Sequence, residues 1–153
     1  MVSDVVVSSE AAQEAPTNDA TADFTAGAFG NSVVDAETQT YTFPSGAEGW
    51  AGFANNAEIY PLSFEAGGYV TFSASAATAT NLRFRFEFKP FPDVDPAYDT
   101  ANVLIDSTEL KEYTVEVPSQ GANTFSSFLL YLVERDSPVV VKDVVVSSYV
   151  PAN

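Results

Sequence analysis

Asn81-Leu82-Arg83-Phe84-Arg85-Phe86-Glu87-Phe88-Lys89 is the stretch whose reading decides the fold. Bulky apolar residues occupy positions 82, 84, 86 and 88, and charged residues occupy 83, 85, 87 and 89. A period of two belongs to a β-strand, whose successive side chains leave opposite faces of a sheet. Leu82, Phe84, Phe86 and Phe88 therefore face a core, and Arg83, Arg85, Glu87 and Lys89 face away from it. The alternation recurs on both sides of this stretch. Tyr69–Ser75 turns Val70, Phe72 and Ala74 inward and Tyr69, Thr71 and Ser73 outward, and Lys111–Val117 turns Tyr113, Val115 and Val117 inward. Thr38–Phe43 aims Tyr41 and Phe43 one way, and Ile59–Glu65 and Ala101–Asp106 read as short strands. Phe125–Glu134 is apolar on both faces, as in a strand covered from both sides. Val139–Ser148 closes the chain with valines, which are stiff at the first side-chain torsion and fit a pleated surface. Turn residues such as Pro44-Ser45-Gly46, Ala66-Gly67-Gly68 and Asp136-Ser137-Pro138 separate the strands. Many short, evenly spaced strands with almost no helical pattern predict an all-β protein, an antiparallel β-sandwich or jelly roll.

The N-terminal part reads differently. Glu10–Ala28 is small, acidic and rich in Ala and Thr, with Phe24 its single bulky residue, and Pro16 opposes a helix. Residues 1–37 are expected to form an acidic N-terminal arm with one strand, and residues 38–153 the sandwich. The strand is Asp4-Val5-Val6-Val7-Ser8-Ser9, which repeats Asp143-Val144-Val145-Val146-Ser147-Ser148 residue for residue. It reads as an internal strand, as the tail of a preceding tandem module, or as an assembly element. In the last case Asp4, Val5, Val6 and Val7 add a strand to a neighbouring copy, since strand edges carry unpaired backbone groups.

Composition excludes several function classes. The chain of 153 residues carries 21 acids against 6 bases, a formal charge of −15. The six bases, Arg83, Arg85, Lys89, Lys111, Arg135 and Lys142, all lie beyond residue 82. Such a surface repels phosphate backbones and anionic lipid, so neither nucleic acid nor membrane is an expected partner. Cysteine and histidine are absent. Disulfides, thiolate chemistry and the usual general base are thereby excluded. Met1-Val2-Ser3-Asp4 has no basic region and does not read as a signal peptide. Paired carboxylates such as Glu87 and Glu134 are the nearest approach to a catalytic set, and nothing else supports an enzyme.

From about Tyr41 to Val150 the order of features resembles the jelly-roll carbohydrate-binding modules appended to polysaccharide-degrading enzymes. The resemblance is carried by Gly49-Trp50, by Gly68-Tyr69-Val70-Thr71-Phe72-Ser73-Ala74, by Lys111-Glu112-Tyr113-Thr114-Val115-Glu116-Val117 and by Val141-Lys142-Asp143-Val144-Val145-Val146. It implies a galactose-binding-like jelly roll and a non-catalytic function, the binding of a polysaccharide or surface glycan. The alternative is a structural virion protein, a capsid decoration or fibre, whose arm pairs with copies of itself or with capsid protein. Either places the protein outside a cell or on a virion surface.

Two sites are expected. A sugar site needs a flat aromatic surface for C–H faces and fixed polar groups for hydroxyls. Arg83, Arg85 and Glu87 supply the polar groups, with Tyr69 and Tyr131 beside them and Trp50 flanking the face. The second is a structural calcium, which takes hard oxygen ligands. Asp93, Asp95 and Asp99 lie within seven residues, and Asp143 is nominated by the family resemblance, whose members often hold calcium near the closing strand.

Overall fold

A computed structural model describes residues 17–90 and 92–150. Two antiparallel sheets face each other. The first contains β1 (Thr17–Thr21), β3 (Val33–Asp35), β4 (Thr40–Thr42), β7 (Gly68–Ala76), β11 (Lys111–Val117) and β14 (Val139–Tyr149), ordered β11-β7-β14-β4-β3 with β1 also on β14. The second contains β2 (Ala28–Phe29), β5 (Gly52–Ala54), β8 (Thr80–Glu87), β9 (Ala97–Asp99), β10 (Val103–Ile105) and β13 (Ser127–Leu132), ordered β10-β8-β13-β5-β2 with β9 also on β8. β6 (Leu62–Ser63) and β12 (Thr124–Phe125) form a small pair apart. The jelly-roll sandwich read from the sequence is the fold. Its alternation holds almost throughout: β8 ends at Glu87, one turn of the pleat early, and Phe88 is half-buried.

Aromatic rings fill the space between the sheets. Phe84 and Phe86 of the second sheet each stack on Phe128, at 5.4 and 4.6 Å. Phe72 of the first sheet meets Phe84 edge-on at 5.3 Å, and Tyr41 meets Phe53 across the layers at 4.9 Å. Tilted and edge-to-face pairs add about 0.5–1.5 kcal/mol each beyond the area they bury.

The closing strand solves a parity problem. Val139 and Val141 are buried, and so are Val144 and Val146, although odd and even positions of a regular strand face opposite ways. A bulge between Lys142 and Val145 inserts the missing residue in the pairing with β7. Exposed Asp143 takes the left-handed backbone there, with φ of 54°. Both valine pairs thus reach the same core.

Part of the expected arm belongs to the sandwich. Thr17–Thr21 pairs with Val145–Tyr149, Ala28 and Phe29 pair with β5, and Val33–Asp35 pairs with β4. Phe24, the one bulky residue of the acidic stretch, is 1% exposed and packs on Phe84 and Phe128. A single buried phenyl and a run of backbone pairing outweigh the disorder-like composition around them. Asp4, Val5, Val6 and Val7 lie outside the described residues.

Two outcomes are expected. Replacing Asp143 by Gly keeps or raises stability in urea unfolding, because Gly adopts positive φ freely. Asp143→Val costs about 1–3 kcal/mol, because a β-branched residue is strained there. Burial, with the Asp23 charge added, pushes the Tyr41 hydroxyl up to about 12, from about 10 in an unfolded chain. An acid whose folded pKa is raised stabilises fully below the unfolded value and loses that stability as pH rises through the folded one. Tyr41 therefore contributes up to about 2–3 kcal/mol that disappears between about pH 10 and 12, read as an alkaline fall in urea midpoint that Tyr41→Phe reduces.

Candidate binding cleft

The outer face of the second sheet is built from directly opposed residues. Arg83 pairs with Tyr131, Arg85 with Leu129 and Glu87 with Ser127, all on the face away from the core. On the other edge of β8, Arg85 is opposite Asp99 and Glu87 opposite Ala97. On the far side of β13, Leu129 is opposite Ala54, and Gly52 is opposite Phe29 in β2. Phe29, Ala54, Arg83, Arg85, Glu87, Ser127, Leu129 and Tyr131, with Trp50 and Tyr60, line a cleft of about 1020 Å³, and Asp99 braces the two arginines from beside it.

Its aromatic half depends on a missing side chain. A Cβ at Gly52 would stand 2.7 Å from the Tyr131 ring and 3.0 Å from the Leu130 carbonyl. With only hydrogen there, Tyr131 lies over β5 and reaches Phe29 edge-on, ring centres 6.2 Å apart. Phe29 in turn lies nearly parallel to Trp50, at 6.3 Å and 11°. Trp50 is 62% exposed, an unusual cost for the largest apolar side chain. At the other end the Arg83 guanidinium sits 4.8 Å from the Tyr131 ring centre. Trp50, Phe29, Tyr131 and Arg83 thus form a continuous planar-group surface.

The polar half is a braced network. Arg85 Nε donates to Glu87 Oε2 at 2.8 Å, and its Nη1 donates to Asp99 Oδ2 at 2.8 Å. Arg83 Nε donates to the other Asp99 oxygen at 3.4 Å. Ser127 Oγ donates to Glu87 Oε1 at 3.1 Å, and Glu87 is 7% exposed. Burial pulls the Arg85 pKa down, but the Glu87 and Asp99 carboxylates more than offset it and hold the guanidinium charged. Burial raises the Tyr131 hydroxyl, so it stays protonated as a neutral group. Two guanidinium charges face two carboxylates, and each donor is held in place before any ligand arrives.

Of the residues expected to form the sugar face, the fold brings together Trp50, Arg83, Arg85, Glu87 and Tyr131. Tyr69 is not among them. It stands on β7, in the other sheet, beside Tyr149 at 5.8 Å, because β7 and β8 belong to opposite layers despite adjacency in sequence. The expected calcium ligands do not converge. Asp99 is engaged by Arg83 and Arg85, whereas Asp143 marks the bulge of β14 in the opposite sheet. Among the described residues no three carboxylates, Asp93 and Asp95 included, gather as a metal site would require. Glu87 and Glu134 are also separated. Glu134 accepts bonds from Thr80 and Asn81 at the start of β8, while Glu87 ends that strand. Seven residues of strand span roughly 23 Å, against about 5–9.5 Å between the carboxyl groups of a glycosidase. Phe29, Gly52, Tyr60 and Ser127 were not identifiable in advance. Phe29 sits in a low-complexity stretch, and a glycine signals a close approach only once its neighbour is known.

No protein-family model matches the sequence, and no curated protein matches it. Solved structures do resemble it in fold. One is a family 29 carbohydrate-binding module from Piromyces equi, 11% identical, with a TM-score of 0.57 over 86% of this chain and 91% of that one. Another is a family 29 variant complexed with mannohexaose, 12% identical, with a TM-score of 0.56 over 88% and 94%. A third is a variant complexed with cellulohexaose, 12% identical, with a TM-score of 0.58 over 87% and 92%. The shared fold is the jelly roll of carbohydrate-binding modules.

Gly52→Val is expected to push Tyr131 off β5. The result should be an altered near-ultraviolet circular dichroism spectrum and a stability loss of about 1–3 kcal/mol, as for other overpacked sites.

Proposed function

We propose that this protein is a non-catalytic module that binds a polysaccharide chain along the outer face of its second sheet. The observation that carries the reading is Trp50, exposed yet held parallel to Phe29, at the head of an aromatic surface that runs into a braced Arg–carboxylate network. An aromatic plane supplies dispersion and C–H contact to the apolar face of a pyranose ring. Fixed guanidinium and carboxylate groups offer donors and acceptors to hydroxyls without an ordering cost at binding. The equal numbers of cations and anions in the ion-pair network suit an uncharged, hydroxyl-rich chain despite the acidity of the whole protein. The sandwich shares its fold with modules solved in complex with mannohexaose and cellulohexaose, which makes mannans and β-glucans the first ligands to test.

Trp50 is the single tryptophan and therefore a built-in reporter. Titration with mannohexaose or cellulohexaose is expected to shift its emission to the blue as the sugar covers the indole. Trp50→Ala should weaken binding about tenfold or more, the equivalent of one stacking contact of about 1.4 kcal/mol. Its melting temperature should hardly move, because the side chain is exposed. Combining Arg85→Ala with Tyr131→Ala should abolish binding altogether. Calorimetric binding unchanged in both variants would discard this face as the site.

A further inference from the structure

Tyr60 stands at the Glu87 end of the cleft, and its hydroxyl oxygen is fully occupied as an acceptor. The Phe128 backbone N–H donates to it at 2.8 Å and the Asn55 amide nitrogen donates to it at 3.1 Å. Asn55 is itself locked. Its amide nitrogen also donates to the Ala57 carbonyl, and its oxygen accepts the backbone N–H groups of Asp23 and Ala57. The amide cannot flip, so it must donate to Tyr60. A phenol has two lone pairs and one proton. Both lone pairs are taken, and among the described residues Tyr60 donates to none. The remaining O–H belongs to a side chain that lines the cleft.

We infer that Tyr60 is a specificity-determining residue: a hydroxyl fixed in sense as a donor, which reads one ligand oxygen strictly as an acceptor. The inference rests on the glycan reading of the cleft. Glu87 is its natural complement. Ser127 donates to the Glu87 carboxylate, the next residue along β13 donates to Tyr60, and the carboxylate can only accept. A sugar placed between them meets one group that only gives a proton and one that only takes one. A free tyrosine hydroxyl can donate or accept, whereas this one, with both acceptor positions taken, can only donate. A site built around an obligate donor rejects the analogue that lacks the matching oxygen, since the donor is then left unpaired.

The test uses the whole protein, the hexaose that binds it better of mannohexaose and cellulohexaose, and monodeoxy analogues of that sugar. Tyr60→Phe should weaken binding of the parent sugar about tenfold. One monodeoxy analogue should bind the wild type about tenfold more weakly than the parent does, and the same analogue should bind Tyr60→Phe no worse than the parent does. A loss of folded population weakens both sugars alike and cancels from that coupling, and a melting curve records it separately. Equal losses on deoxygenation in both proteins, or parent binding untouched by Tyr60→Phe, would overturn the inference. If either occurs while Trp50→Ala still weakens binding, the glycan reading survives alone. Failure of the wild type to bind any polysaccharide in a broad panel overturns both.

Discussion

The register between β8 and β13 is the constraint on which both the core and the cleft depend. Phe84 opposite Leu130 and Phe86 opposite Phe128 close the interior, while Arg83 opposite Tyr131, Arg85 opposite Leu129 and Glu87 opposite Ser127 build the outer face. Each strand serves two surfaces at once. A slip of one residue would send every phenylalanine to water and bury two guanidinium groups. The stacked trio of Phe84, Phe86 and Phe128 opposes such a slip, since it forms only in this pairing. Core packing thereby positions the polar cleft to within the tolerance that oriented hydrogen bonds require.

Alternation along a strand is a local property, and what depended on it was legible in the sequence. The inward set of β8 and the outward Arg83, Arg85 and Glu87 follow from a period of two, as do the inward faces of β7 and β11. Trp50 and Tyr131 joined the site because each is aromatic beside a turn or on a central strand. Which sheet a strand enters is not local. Tyr69 has the outward sense expected of it, yet it faces the solvent on the opposite layer, since β7 crosses over to the first sheet. Nothing in the alternation of Gly68–Ala76 distinguishes the two placements. Phe24 and Phe29 were hidden for another reason. Composition averages over a window, and an isolated aromatic in or just past a stretch of small residues carries its structural weight through contacts made far along the chain. Asp143 shows a third limit. A run of valines suggests one regular strand, whereas burial of both Val141 and Val144 demands a bulge between them.

The acidity of the protein and the charge balance of its arginine–carboxylate network are compatible because the charges are sorted. All four ion-pairing groups among the described residues, Arg83, Arg85, Glu87 and Asp99, form one network. The remaining carboxylates of the described residues are spread over solvated surface, where screening softens their mutual repulsion. Basic residues are thus spent where orientation matters. Arg135 illustrates the same economy outside the cleft, its Nη1 donating to the carbonyls of Pro44, Ser45 and Ala47 while the guanidinium covers the Phe43 ring at 4.1 Å. That clasp fixes the turn leading toward Trp50.

The pairing of β1 with β14 sets where the described fold begins and ends. Thr17 stands directly opposite Tyr149, so the chain enters and leaves the described fold at neighbouring points on one sheet edge. The cleft belongs to the other sheet. A tether at either point grips the sandwich from behind, as a handle on the back of a hand leaves the palm open. Load applied through Thr17 and Tyr149 together falls first on the pairing of two adjacent strands in the first sheet.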